Sequence, residues 1–221
     1  MLIHSAAGGV GQAAVQVAQQ AGAEIFATAS RPKWPLLRQQ GIQHIFNSRT
    51  LDFATDILQQ TNGEGVNIIL NSLSGDTIKK TISTLSPQGR FIEIGKAGIW
   101  SSEQMQKQRP DVDYHIIDLV DITHNQPRQI QAMLQHLTQQ VQQGQLHPLP
   151  VQTFTADKAI DAFRTMQQAK HVGKVVITAP PLAEQQNEAE TSPAIRADAC
   201  YLITGGLGAL GLQLCHWLTK Q

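Results

Sequence analysis

Only two cysteines occur in the 221 residues, Cys200 and Cys215, and neither belongs to a C-x-x-C pair. That excludes a disulfide framework and a zinc ribbon, and makes a reducing, cytoplasmic compartment the expectation. No apolar run reaches the ~18 residues of a membrane span. The N-terminus lacks the basic flank of a signal peptide, and His4, Ser5 and two glycines interrupt its apolar stretch. There is no charge excess: 17 Lys+Arg balance 17 Asp+Glu. A nucleic-acid partner or an anionic membrane surface calls for a cationic excess, so neither is expected. The eight histidines show no ligand spacing with cysteines or acids, so no metal is expected. Cys215 and His216 are neighbours on a predicted helix, where adjacent side chains diverge, and they make no nucleophile pair.

What is present is a regular alternation. Hydrophobic residues form 41% of the chain, enough to bury a core. Strand patterns occur at 2–5, 24–30, 44–48, 66–72, 89–95 and 112–120. Helix patterns lie between and after them, with Val10, Ala14, Val17, Ala18 and Ala21 as the apolar stripe of the first, and a long helix over 128–143 as the last. Short connections between such elements predict an α/β chain, a parallel sheet with helices on both faces. Residues 148–179 read as strand, helix and strand, too late to extend the sheet. Residues 180–198 carry three prolines among polar residues and read as a linker. A second strand–loop–helix unit starts at 199 and stops at 221.

The first connection, Ala6-Ala7-Gly8-Gly9-Val10-Gly11, fits G-x-G-x-x-G with Ala6 in the first place. Gly8 admits a pyrophosphate close to the backbone, Gly11 lets helix and strand pack, and the helix start offers free N–H groups to the anion. Placed between a strand and a helix, the motif predicts a Rossmann-type doubly wound sheet that binds a dinucleotide. The end of the second strand reads Ser30-Arg31-Pro32-Lys33, with no acid for a ribose 2′-hydroxyl. A hydroxyl and two cations suit a 2′-phosphate, so NADPH is the expected cofactor; the alternative is that Arg31 and Lys33 are ordinary surface charges. Near the C-terminus Thr204, Gly205, Gly206, Gly208 and Gly211 repeat a nucleotide-loop pattern, with Ala209 where T-G-x-x-x-G-x-G has its middle glycine.

The stretches "IHSAAGGVGQAAVQVAQQAGAEIFATAS", "PKW", "NSRTLDF", "ILNSLSGD", "GRFIEIGK" and "AFRTMQQAKHVGKVVIT" together resemble the enoyl reductase domains of modular polyketide synthases. Those domains belong to the zinc-free, quinone-oxidoreductase-like branch of the medium-chain dehydrogenases. Residues 199–221 resemble the opening of a ketoreductase domain. The resemblance implies a piece of a longer synthase: residues 1–147 an NADPH-binding domain, 148–179 a segment returning to a GroES-like substrate domain outside this chain, 180–198 a linker, and 199–221 a truncated ketoreductase start without its catalytic segments. The implied partners are an acyl carrier protein bearing a phosphopantetheine-linked enoyl chain and neighbouring synthase domains; a homodimer is compatible with it.

The implied reaction is 1,4-reduction of an α,β-unsaturated thioester. Lys96 and Asp118 match positions proposed in the family as proton donors; some members also use a tyrosine of the substrate domain. An ion pair between Lys96 and Asp118 would satisfy an acid expected within an apolar strand. Asn71, Ser72 and Leu73 are expected on the nicotinamide-ribose side, Ala7, Gly8, Gly9, Val10 and Gly11 around the pyrophosphate, and Gly95 among the cofactor-binding residues. Arg49 and Lys174 are candidates for cofactor phosphates, or else surface cations. Two other readings stay open: a stand-alone quinone or alkenal oxidoreductase, and a non-catalytic nucleotide-binding or dimerisation fragment.

Overall fold

Six strands lie side by side and run in one direction. The structure, a computed structural model, describes residues 1–179, 200–203 and 207–219. The strands are β1 (Leu2–Ile3), β2 (Phe26–Ala29), β3 (His44–Asn47), β4 (Val66–Asn71), β5 (Leu85–Glu93) and β6 (Asp113–Ile116). Their lateral order is β3-β2-β1-β4-β5-β6, all parallel. Helices α1 (Gly9–Gln20), α2 (Trp34–Gln39), α3 (Phe53–Gln60), α4 (Asp76–Ile82) and α5 (Ser102–Gln108) form the crossovers.

Successive residues of a strand point to opposite faces, and the two cores divide accordingly. Leu2, Phe26, Phe46, Ile69 and Phe91 join Phe53, Ile57, Ile78 and Met105 from α3, α4 and α5. Ile3, Ala27 and Ile45 join Val15, Ala18 and Leu37 from α1 and α2. The sheet is thus covered on both faces, and the order reverses between β1 and β4. Ligands of doubly wound sheets bind in the crevice at that reversal, beyond the strand C-termini.

Three local readings are corrected. The buried face of α1 runs through Gly11, Gln12, Val15 and Ala18, while Val10 and Val17 are 60% and 52% exposed. The helix lies on the chain at Ser5–Ala6, which rotates its contact face so that, of the expected stripe, only Ala18 is buried and Ala14 packs partly against the core. Gln12 is admitted because its amide donates to the Ala6 carbonyl and pairs with Gln40. The strand expected over 112–120 ends at Ile116, because Asp118 accepts the Val120 and Asp121 amides and caps a further helix, α6 (Leu119–Asn125). The strand expected over 89–95 begins earlier, at Leu85, soon after α4 stops at Ile82, and pairs through an irregularity opposite Val66–Ile68.

After α6 comes α7 (Pro127–Gln142), an amphipathic helix without a buried residue. Strands β7 (Val151–Thr155) and β8 (Lys174–Thr178) then pair in parallel as a separate two-stranded sheet, connected by α8 (Ala159–Gln167). Ile160, Phe163 and Met166 of α8 face solvent. The chain divides into two compact units, Met1–Ala179 and Pro180–Gln221. The second contains α9 (Ala209–Leu218). The linker reading at 180–198 lies outside the described residues. No helix among the described residues is long and apolar enough to cross a membrane.

One buried histidine ties the central strand to its neighbours. His4 follows β1 and is buried edge-on to Phe53. Its Nε2 is 3.0 Å from the Thr81 hydroxyl and its Nδ1 2.9 Å from the Thr28 hydroxyl. Thr81 donates its own proton to the Thr77 carbonyl, so it accepts from Nε2–H, and Nδ1 accepts from Thr28. Both nitrogens are therefore satisfied in the neutral ring, and burial pushes the imidazole pKa down from 6.5 to about 3.

Two stability outcomes follow from these contacts. Between pH 6.5 and about 3 the unfolded chain carries the His4 proton and the folded chain does not. This contribution is complete above pH 6.5 and is lost as pH falls, by up to ~1.4 kcal/mol per pH unit. Denaturant titration is expected to show a shallower acid slope in His4→Asn; equal slopes contradict the assignment. At Gly11 an added Cβ would lie 2.3 Å from the Ser5 carbonyl oxygen and 2.6 Å from Ala6 Cα, whereas at Gly8 the nearest atom is 3.2 Å away. Gly11→Ala should cost about 2–3 kcal/mol of unfolding free energy and Gly8→Ala under about 1. The reverse order in thermal denaturation would refute the packing role of Gly11.

Candidate functional site

The turn after β1 is held from several sides. Ser5 adopts the left-handed region, φ 52°, a conformation that costs a non-glycine residue energy and recurs where a turn is functional. Its carbonyl accepts the Gly8 amide at 2.8 Å, and the Ala6 amide donates to the Thr28 carbonyl at 3.0 Å. Gly8 is the N-cap of α1 with no side-chain hydrogen bond, so the first turn presents its amides outward. From the other side, the Gly173 amide donates to the Ala7 carbonyl at 3.0 Å, just before β8. A Cβ on Gly9 would lie 2.8 Å from Lys174 Cδ and 3.6 Å from its ammonium nitrogen. The loop and Lys174 are therefore brought together. Val10 contributes backbone only, since its side chain points to solvent.

A cleft of about 240 Å³ opens beside this turn. Ser5, Ala7 and Gly8 form one wall, Ala29, Ser30 and Lys33 a second, and Ser48 and Arg49 a third, with Leu73, Ala169 and His171 at the remaining side. Lys33 and Arg49 share it. Partial burial lowers the Lys33 pKa, and the charge of Arg49 lowers it further. None of the lining residues is acidic, so the two cations repel each other across a space suited to an anion. Arg31 does not line the cleft. Its guanidinium lies over the Trp34 ring, 5.9 Å from the centroid, while the indole donates to the Ala29 carbonyl. Of the cations expected after β2, the structure brings Lys33 to the site together with Arg49, which comes from the β3 end.

Beyond β4 and β5 the second half of the site is assembled. Asn71 is buried, Leu73 lines the cleft, and the Ser72 hydroxyl is 3.4 Å from that of Ser5. Lys96 forms an ion pair with Asp118, both well exposed, at 60% and 44% for the side chains. The Lys96 ammonium first, and then the Val120 amide, holds the Asp118 carboxyl below its usual range. The pair expected from the sequence is therefore present, with Asp118 at a helix start rather than within a strand. Neither residue lines the cleft itself.

Several participants carry no sequence signal. Glu93, at the end of β5 beside Gly95, reads as an ordinary polar position of a strand, yet it is fully buried. His171 and Ala169 reach the cleft through tertiary packing alone. The His171 Nδ1 atom is buried without a hydrogen-bond partner among the described residues. In the second unit Gly208 caps α9 and Gly211 is buried; Thr204, Gly205 and Gly206 lie outside the described residues.

A dinucleotide fits this arrangement: a cradle whose glycines approach neighbouring backbone or side chains, unpaired helix amides, and two cations without an acid. A family described as zinc-binding dehydrogenase matches residues 40–177. Zinc does not fit the residues present, since no three His, Cys, Asp or Glu side chains gather as ligands among the described residues.

The chain is 42% identical over 222 residues to a mycocerosic acid synthase-like polyketide synthase of Mycolicibacterium smegmatis, covering 98% of this chain and 10% of that protein. Among solved structures, the crystal structure of CurK enoyl reductase is 57% identical with a TM-score of 0.77, over 81% of this chain and 54% of that one. The nucleotide-binding subdomain of the enoylreductase domain of PpsC from Mycobacterium tuberculosis is 40% identical with a TM-score of 0.61, over 66% of this chain and 83% of that one. The chain thus spans about a tenth of that curated synthase and about half of the CurK reductase. Its nucleotide-binding fold is that of a nicotinamide-dependent oxidoreductase, and the chain belongs to the zinc-binding dehydrogenase family and, within it, to the enoyl reductase domains of polyketide synthases.

Proposed function

We propose that the chain is the cofactor-binding part of an NADPH-dependent enoyl reductase acting on an α,β-unsaturated acyl thioester carried by an acyl carrier protein. The observation that carries the cofactor choice is the pairing of Lys33 with Arg49 in the cleft beside Gly8, with Ser30 and Ser48 adjacent and no acid. A 2′-phosphate would relieve the repulsion between the two cations and accept from both hydroxyls. The Ala7–Gly11 turn, assisted by Lys174, takes the pyrophosphate, and Asn71–Leu73 and Gly95 border the nicotinamide end.

When bound, the cofactor supplies a hydride for the β-carbon of the substrate. The residues of this chain supply charge and a proton. The Lys96 ammonium donates a hydrogen bond toward the thioester oxygen as negative charge develops there, and its proton is available for the α-carbon. Asp118 aims Lys96 through their ion pair. The Lys96–Asp118 ion pair beyond β5 and β6 supports these roles.

The exposed apolar residues of α8 and the greater length of the relatives support 148–179 as the segment that meets a substrate domain. On this reading residues 1–147 hold NADPH, 199–221 begin a ketoreductase, and the flanking synthase domains deliver the substrate. Reduction then requires the substrate domain, and this chain alone binds cofactor without turnover.

Two outcomes test the reading. Lys33→Ala should weaken NADPH binding about 10- to 100-fold, the range of one charge-assisted contact, and leave NADH within about threefold; calorimetry on this chain decides it, and equal losses remove the 2′-phosphate assignment. In a polypeptide joining this chain to its substrate domain, NADPH oxidation with crotonyl-pantetheine should proceed, and Lys96→Met should lower kcat at least about 100-fold. Turnover of a quinone without turnover of the enoyl thioester would refute the assignment.

A further inference from the structure

Glu93 is a fully buried carboxylate with no ion pair among the described residues. Its Oε1 accepts the Gly95 amide at 2.6 Å, and its Oε2 accepts the Asn71 side-chain amide at 2.6 Å. Asn71 is itself fully committed. Its Nδ2 also donates to the Leu73 carbonyl at 2.8 Å, its Oδ1 accepts the Leu73 amide at 3.4 Å, and its backbone carbonyl accepts the Ile94 amide at 3.0 Å. The Glu93 backbone carbonyl accepts the Ile117 amide at 2.8 Å. One residue therefore holds the immediate neighbour of Lys96 with its side chain and the immediate neighbour of Asp118 with its backbone. Gly95 is required for this: a Cβ there would lie 2.8 Å from Glu93 Oε1 and 3.0 Å from Ile99 Cγ2.

A buried acid that accepts only N–H donors serves no purpose that an apolar residue would not serve more cheaply, unless the bonds themselves fix something. We propose that Glu93 is the positioning residue of the site: its carboxylate fixes the Gly95 amide and the Asn71 side chain, so that Lys96 leaves β5 toward Asp118 while Leu73 is set against the cofactor cleft. The inference rests on the reading of Lys96 given above as far as turnover is concerned, but the placement of Lys96 is measurable without turnover.

The variant is Glu93→Gln. Glutamine has nearly the same shape but one acceptor oxygen, and the partners of Glu93 are N–H donors, so a contact is lost. The first readout is the titration of Asp118 by carboxyl NMR in this chain without cofactor. Lys96 lowers that pKa from 3.8, and the Val120 and Asp121 amides that also face Asp118 are the same in every variant. The Asp118 pKa should rise in Glu93→Gln by at least half of its rise in Lys96→Met. The second readout is kcat in the polypeptide carrying the substrate domain. It should fall about 10-fold or more in Glu93→Gln, and the double variant should be no slower than Lys96→Met alone. A folded Glu93→Gln protein in which Asp118 titrates as in the parent overturns the proposal. If Glu93→Gln does not fold, Gly95→Ala disturbs the same contact from the other side, and a parental Asp118 titration there overturns it equally. Full turnover in Lys96→Met would instead remove Lys96 as proton source, leaving the Asp118 titration to decide the placement by Glu93.

Discussion

The near-contact of helix α1 with the end of β1 is the constraint on which the rest depends. Gly11 sits so close to the Ser5 carbonyl and Ala6 Cα that no side chain fits between them. That approach sets the angle at which α1 leaves the sheet and points its unpaired amides into the crevice where the strand order reverses. The left-handed Ser5 turns the chain sharply enough to allow it. Neutral His4, bonded to Thr28 and Thr81, holds the same strand end from below. A fixed loop is a precondition for binding a flexible dinucleotide without ordering the protein at the same time.

Around this anchor the site divides into two electrostatic halves. On the β2–β3 side Lys33 and Arg49 converge with no acid among the lining residues. On the β5–β6 side Lys96 is already paired with Asp118. The difference suits different tasks. On the proposed reading, an unneutralised pair gains most from a phosphate, whereas a lysine that delivers a proton gains from a partner that holds its position. Glu93 and Asn71 join the C-terminal ends of β4 and β5, the two strands that carry the loops bordering the second half.

Much of this was legible in the sequence, for identifiable reasons. Alternating apolar segments with short connections leave few topologies, and glycine spacing marks the one connection that must approach a ligand. The loop, the parallel sheet and the Lys96–Asp118 pair followed from such local patterns or from the resemblance they carry. The remainder depends on contacts distant in sequence. Arg31 and Lys33 look equivalent until Trp34 draws Arg31 aside. Arg49, already a candidate for a cofactor phosphate, stands beside Lys33 only because β3 pairs with β2. Gln12 reads as a solvent residue and is buried because Ala6 and Gln40 satisfy it. Asp118 reads as part of a strand because a capping acid and a strand acid look alike until the following amides turn toward it. Glu93 looks like the outward residue of an alternating strand, and only the fold shows two N–H donors directed at it.

The most direct test of the central claim is the amide NMR spectrum of this chain as NADPH is added. The amides of Gly8, Gly9, Val10 and Gly11 should shift first and saturate together with those of Ser30 and Arg49, while the α8 amides stay in place. A saturating response confined to other parts of the chain, or none at all, would contradict the account.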